Sequence, residues 1–250
     1  MCPMPIPDSV RALERDLRDI FGARLQSLVA YGARASATPH AAGRSHGGGH
    51  HVQRPLMHTL AIAETLTAED LRACAGRMKK WDAAALATPL LLAAHEFERS
   101  LDAFPLEFGA IVADHVVVSG KDPFEALRVE AADVRRACEV QARSQLLHLR
   151  EGYLETRENA DALAVLIVES AAPFAALLAS IARLQGAAVV DAAASARHVE
   201  RLIDVPGGVV SDVVALAGVT EISAAEASRI FPAYLDAVEK LVRFVDGWQT

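Results

Sequence analysis

The stretch LQSLVAYGARA, residues 25–35, decides the fold of this 250-residue chain. Its first seven residues, LQSLVAY, alternate as a short buried strand does, and the GARA that follows predicts a tight turn. Before this stretch, apolar residues at helical spacing predict a helix that ends at Gly22. After it, residues 36–55 are polar, rich in glycine and histidine and without periodicity, and this composition predicts a loop.

The chain from residue 57 to about 122 mixes strand and helix signals. Residues 57–63 predict a second strand, residues 89–94 form a third apolar run, and residues 106–119 predict a strand in two pieces. Thr67 and Asp70 form a capping-box pair, with Asp in place of Glu, which predicts a helix over 68–80. These elements predict a small mixed sheet with helices around it.

Strand signals nearly vanish after Pro123. Apolar residues at helical spacing predict a helix over 134–158, and further helices are predicted at roughly 160–185, 190–203, 207–218 and 224–246. The fold class expected is therefore α+β, a small mixed-sheet domain followed by an all-helical bundle. The expected domain limits are 1–125 and 126–250.

Composition excludes several classes of protein. The chain is 52% hydrophobic, which supports a packed core, and its net charge of −7 argues against a general nucleic-acid binder. The most apolar segment, residues 163–184, contains Glu169, Pro173 and Arg183, so it is interpreted as a buried helix pair rather than a membrane span. Three cysteines without CxxC spacing predict neither a disulfide framework nor a zinc knuckle. We expect a cytoplasmic protein, and the preference for arginine over lysine is typical of a GC-rich bacterial genome.

The order of elements around LQSLVAYGARA resembles the nucleotidyltransferase superfamily named after DNA polymerase beta. Three later stretches are also similar to bacterial proteins with this domain: HTLAIAETLTAEDL (58–71), RSLDAFPLEFGAIVADHVVVSGKDPFEAL (99–127) and LLHLREGYLE (146–155). The resemblance covers residues 1–160 best. In that family the glycine and serine of the turn hold the triphosphate of a nucleotide. The resemblance therefore implies that Gly32, Ala33 and Arg34 lie at a nucleotide site.

The carboxylates of that family's active site are missing from the matching positions. Active members carry an Asp-x-Asp pair on the second strand and a third carboxylate on a neighbouring strand, which together hold two magnesium ions. The matching residues here are PLMHTL, 55–60, and no Asp or Glu occurs from Ala23 through Ala63. Ala33 stands where the family has serine, and only Glu107, in FPLEF, is placed as the third carboxylate. We therefore expect that magnesium-dependent nucleotidyl transfer is lost, and that the chain acts as a scaffold or binds a nucleotide or a partner weakly.

Two other functions remain open from the sequence. An active nucleotidyltransferase with a rearranged magnesium site would use Glu107 together with Glu64 or the histidines. A metal-binding protein would use the histidine-rich loop, where His46, His50 and His51 are the candidate ligands, because imidazole binds zinc, nickel and copper. The alanine-rich C-terminal helices also offer close-packing faces, which makes a homodimer a further hypothesis.

Other polar residues have structural interpretations. His115 lies on an apolar stretch and is interpreted as a core histidine, and Asp122 as a turn residue. Arg143, Arg150 and Arg157 recur at seven-residue spacing. This arrangement fits either a phosphate-binding cleft or a solvated helix face, and the second interpretation is favoured.

Overall fold

A four-stranded mixed sheet organises the first half of the chain. The computed structural model describes residues 6–32, 56–125, 127–187, 191–205 and 208–248. The strands are β1 (Leu25–Tyr31), β2 (His58–Ala63), β3 (Leu90–Ala93) and β4 (His115–Gly120). Their order is β3-β2-β1-β4, in which β1 is antiparallel to both β2 and β4, and β2 is parallel to β3. The predicted limits of the first strand are confirmed.

Five of the described helices accompany the sheet. They are α1 (Asp8–Phe21), α2 (Ala68–Ala75), α3 (Met78–Ala83), α4 (Ala94–Ala103) and α5 (Pro105–Ala113). A short 3₁₀ turn, Gly22–Arg24, connects α1 to β1. The predicted capping box is present at α2, where the Thr67 side chain accepts from the Asp70 N–H and Asp70 accepts from the Thr67 N–H.

Strand β1 is buried on both of its faces. Leu28 and Ala30 belong to an apolar cluster with residues of α1, whereas Val29 belongs to a second cluster on the opposite face with Leu60 and Phe97. This alternation follows from the two-residue period of a strand. A strand with apolar partners on both sides accepts few polar side chains, because each buried polar group needs a hydrogen-bond partner.

Two buried carboxylates connect the helices of this unit to one another and to the 3₁₀ turn before β1. The Arg24 guanidinium donates two hydrogen bonds to Asp70, at 2.9 and 2.7 Å, and holds the pKa of that carboxyl well below its usual range. Asp16 in α1 accepts from Lys80 at 2.7 Å and from the Trp81 indole N–H at 2.9 Å. Burial alone would raise the pKa of Asp16, but these hydrogen bonds lower it.

The second half of the chain is built mainly of helices. Its helices are α6 (Ala131–Thr156), α7 (Ala160–Leu184), α8 (Ala192–Leu202), α9 (Val209–Ala215) and α10 (Ala224–Asp246). The Gln145 side chain of α6 donates to the Ser170 carbonyl of α7 at 3.2 Å and to the Tyr234 hydroxyl of α10 at 2.7 Å, so it connects three helices. Burial raises the pKa of Tyr234 to about 12. The α+β fold class predicted from the sequence is confirmed.

The described residues form two compact units that divide between Glu130 and Ala131. That each unit folds as a separate domain stays a prediction. Helix α7 is long and apolar enough, by length and composition, to cross a membrane, and 39% of its most apolar window is buried. Core helices of water-soluble proteins pass the same test, so this is weak evidence for a membrane span.

Two predicted elements differ from the structure. The helix expected over 68–80 is broken into α2 and α3 at Gly76 and Arg77. The strand expected over 106–119 is wrong in its first half, where the chain forms α5. Pro105 occupies the first turn of this helix, a position that suits its fixed φ, and Pro105, Phe108 and Ile111 are buried at a spacing of three residues, as one face of a helix requires.

We expect the Arg24–Asp70 pair to make stability depend on pH in the acid range. The pKa of Asp70 is lowered in the folded state, so its contribution is complete above the unfolded-state pKa of about 3.9 and is lost as the pH falls through the lower folded value. Denaturant unfolding between neutral pH and acid should show this loss. In the Asp70→Asn variant, the free energy of unfolding should depend less steeply on pH below about pH 4. An unchanged pH profile in this variant would contradict the assignment.

Candidate functional site

The end of the sheet where β1 stops is the predicted nucleotide site. Tyr31, the last residue of β1, is paired with His58 at the start of β2 and with His115 at the start of β4. Gly32 follows with φ of +69°, a left-handed conformation that favours glycine. Its N–H donates to the Asp114 carbonyl at 3.3 Å, so Asp114 also lies at this end of the sheet.

The paired strand residues at this end, Tyr31, His58 and His115, carry aromatic and imidazole side chains. The Tyr31 and His58 rings lie 5.6 Å apart between centroids, at an angle of 31°. Burial raises the pKa of Tyr31. Desolvation lowers the pKa of His58, although part of that residue remains exposed. Both groups are therefore uncharged near neutral pH, and the pair offers a ring surface and hydrogen-bonding atoms rather than negative charge.

His115 has structural partners, as the sequence interpretation expected. Its Nδ1 lies 3.1 Å from the Ile111 carbonyl oxygen, and its Nε2 lies 3.2 Å from Asp122 Oδ1. The same Asp122 oxygen accepts the Phe124 N–H at 2.8 Å, which closes the turn after β4. The ring also packs edge-on against Phe124, with 4.8 Å between centroids. These contacts hold the imidazole to the turn, so its two nitrogens are already engaged.

None of the four strands contains a carboxylate. Their sequences are LQSLVAY, HTLAIA, LLLA and HVVVSG. The strands therefore supply no carboxylate oxygen, which is the hard ligand that Mg²⁺ prefers in proteins. Among the residues that the structure describes, no group of three or more His, Cys, Asp or Glu side chains is placed to hold a metal ion.

The prediction that Glu107 lies on a strand is wrong. Glu107 is an exposed residue in the first turn of α5, because Pro105 and the three-residue apolar spacing start a helix there. Asp114 directly follows that helix, about 10 Å further along its axis by the usual rise per residue. Glu64 follows the last residue of β2 and is exposed at the opposite end of that strand from His58. The structure therefore does not bring Glu107 and Glu64 together on the sheet.

Several predicted site residues lie outside the described residues. They are Ala33 and Arg34 of the turn and the candidate metal ligands His46, His50 and His51. Their proposed roles stay predictions. Of the predicted nucleotide-binding set, Gly32 is described and directly follows β1, and its role in nucleotide binding also stays a prediction.

Two of the three arginines of the predicted series lie on α6 and form ion pairs with α10, whereas Arg157 follows the end of α6 with φ of +49°. Arg143 Nη2 lies 2.7 Å from Asp246 Oδ1, and Arg150 Nη2 lies 2.8 Å from Glu239 Oε1. All four side chains remain about a third or more exposed. This favours the interpretation of a solvated helix face over that of a phosphate-binding cleft.

The sequence analysis missed Thr59, the residue next to His58. Thr59 is fully buried, and its hydroxyl has no hydrogen-bond partner among the described residues. It is paired with Ala30 of β1. Threonine is common in strands, so the sequence carried no signal that this hydroxyl is unsatisfied.

Comparison with known proteins supports the fold alone. No protein-family profile matches the chain, and no curated protein matches it significantly. A solved structure of the spectinomycin adenyltransferase AAD(9) from Enterococcus faecialis, with ATP and spectinomycin, is similar with a TM-score of 0.55 and 9% sequence identity. The alignment covers 96% of this chain and 98% of that one. The chain thus has a nucleotidyltransferase-like fold.

We expect Thr59→Val to stabilise the protein by about 1 kcal/mol, because the substitution removes a buried hydroxyl that lacks a partner. Ser27→Ala is the matched control, since the buried Ser27 hydroxyl donates to the Lys121 carbonyl at 2.8 Å. Loss of this hydrogen bond should destabilise the protein by about 1 kcal/mol. Denaturant unfolding measures both changes, and destabilisation by Thr59→Val would show that this hydroxyl has a partner.

Proposed function

We propose that this protein keeps a nucleotidyltransferase-like fold without magnesium-dependent nucleotidyl transfer, and that it acts as a scaffold able to bind a nucleotide weakly. The observation that supports this most directly is the absence of Asp and Glu from all four strands. Position Ala33, where the resembled family has serine, also lacks a hydroxyl donor for phosphate.

Two-metal catalysis requires several carboxylates around one site. Two divalent ions clamp the attacking and leaving oxygens, and the protein contributes carboxylate oxygens that hold both ions. A single carboxylate near Gly32, such as Asp114, supplies too little charge and too few ligands for this task. Because each 1.36 kcal/mol of lost transition-state stabilisation slows a reaction about tenfold, losing both ions removes useful catalysis.

Weak nucleotide binding follows from the groups that remain. The exposed His58 ring, which lies beside Tyr31, offers a face on which a base can stack, and such stacking contributes about 1–3 kcal/mol. A triphosphate binds as its magnesium complex, and the described strands supply no carboxylate to share that ion. The missing metal contacts would therefore limit the affinity.

A rearranged active site is the competing function. It is worth testing because the Gly32 N–H donates to the carbonyl of Asp114, which places a carboxylate-bearing residue beside the predicted turn. Glu107 remains the residue predicted from the sequence for this role. The two residues can be removed separately, as Asp114→Asn and Glu107→Gln.

The decisive experiment is a transfer assay with α-labelled nucleoside triphosphates. The protein is incubated with Mg²⁺ or Mn²⁺ and a panel of hydroxyl-bearing acceptors, which should include spectinomycin because ATP and spectinomycin accompany the structural neighbour. We expect label transfer no higher than in protein-free controls, both for the unaltered chain and for the two variants. Metal-dependent transfer that falls at least about tenfold in either variant would overturn the proposal and establish the rearranged site.

A further inference from the structure

A cavity of about 900 Å³ opens at the end of the sheet opposite to Gly32. Its apolar wall consists of Ile62 from β2, Phe97 from α4, and Pro123 and Leu127 from the segment after β4. Cavities of this size bind drug-sized ligands, which they hold mainly by apolar contact. Ser27, which also lines the cavity, is four residues before Tyr31, so the cavity lies about 13 Å along β1 from the predicted nucleotide site.

A β-bulge shapes the rim of this cavity. The pairing of β1 with β2 passes from Leu25↔Ala63 directly to Ser27↔Ile62, so Gln26 is the extra residue of β1. Bulges of this kind redirect a side chain and are frequent beside binding sites. Gln26 lines the cavity, and its side-chain amide makes no hydrogen bond within the described ranges.

Gly120 makes the bulge possible from the side of β4. It has φ of +80°, and a Cβ on it would lie 1.9 Å from the Gln26 carbonyl oxygen. Any other residue there would force the two strands apart. The close approach therefore requires glycine and fixes the rim beside Gln26.

Lys121, the next residue, brings a positive charge to the rim. The Ser27 hydroxyl donates to its backbone carbonyl at 2.8 Å, which holds the turn after β4 against β1. The Lys121 side chain is exposed, and no carboxylate of the described residues pairs with its ammonium. The Glu96 carboxylate, in the first turn of α4, has a partner of its own, because it accepts a hydrogen bond from the Ala93 N–H at 2.9 Å.

We propose that this cavity binds a small amphipathic acid, with an acyl or aromatic body against Phe97 and Leu127 and a carboxylate that meets Lys121 and Gln26. An apolar wall with two unpaired polar side chains at one edge matches such a ligand, because the body loses contact with water while its head group keeps polar partners. The proposal is independent of nucleotide binding, since the two sites occupy opposite ends of β1.

Isothermal titration calorimetry with decanoate tests this site, with decanol and decyltrimethylammonium as head-group comparisons. We expect decanoate to bind more tightly than decanol, and the cation to bind least. Lys121→Met should weaken decanoate binding about fivefold to tenfold while leaving decanol unchanged. Lys79→Met, an exposed lysine of α3 outside the cavity, is the matched control and should bind decanoate as the unaltered chain does.

A second variant tests the cavity itself. Ala94→Phe adds a ring at the wall and should abolish binding of both decanoate and decanol, while circular dichroism and the melting temperature confirm that the variant is folded. Added ATP should leave decanoate binding unchanged. The proposal is overturned if decanoate does not bind, if Lys121→Met and Lys79→Met bind it equally, or if the folded Ala94→Phe variant retains full binding.

Discussion

Strand β1 is the constraint on which the rest of the first unit depends. It is hydrogen-bonded to β2 on one side and β4 on the other, and its two faces belong to two different apolar clusters. A strand enclosed in this way has no side-chain position in its middle where a charged group can reach water. Polar side chains can therefore reach water only at the two ends of β1, one beside Gly32 and the other at Gln26 in the bulge. The same burial explains why the apolar pattern of LQSLVAY is sufficient to predict this strand from the sequence.

The two ends of β1 have different chemical characters. At the first end, Tyr31 and His58 are uncharged near neutral pH, and the described strands contribute no carboxylate for a metal ion. At the second end, a bulge and a close glycine contact frame an apolar cavity with Lys121 at its rim. The sheet thus has an apolar cavity at the end opposite to the predicted nucleotide site.

The sequence predicted those parts of the fold that depend on local pattern. The limits of β1 and the capping box at Thr67 and Asp70 follow from alternation and from side-chain hydrogen bonding over three residues. The prediction of Glu107 on a strand rests on the match of FPLEF to the third-carboxylate strand of the resembled family and on the mostly apolar residues 106–119. Short apolar runs do not distinguish strand from helix unless the start signal of Pro105 is given weight. The Gln26 bulge, and the Thr59 hydroxyl that has no partner among the described residues, depend on contacts between distant segments, so no local pattern could predict them.

The central claim is that the Gly32 end of the sheet cannot hold the two divalent ions of nucleotidyl transfer. Titration with Mn²⁺ alone, followed by paramagnetic broadening of backbone amide signals, tests this most directly, because Mn²⁺ shares the oxygen preference of Mg²⁺. We predict no saturable broadening of the Gly32, His58 and Asp114 amides up to about 1 mM Mn²⁺. Saturable broadening of these amides with two ions bound per chain would contradict the account.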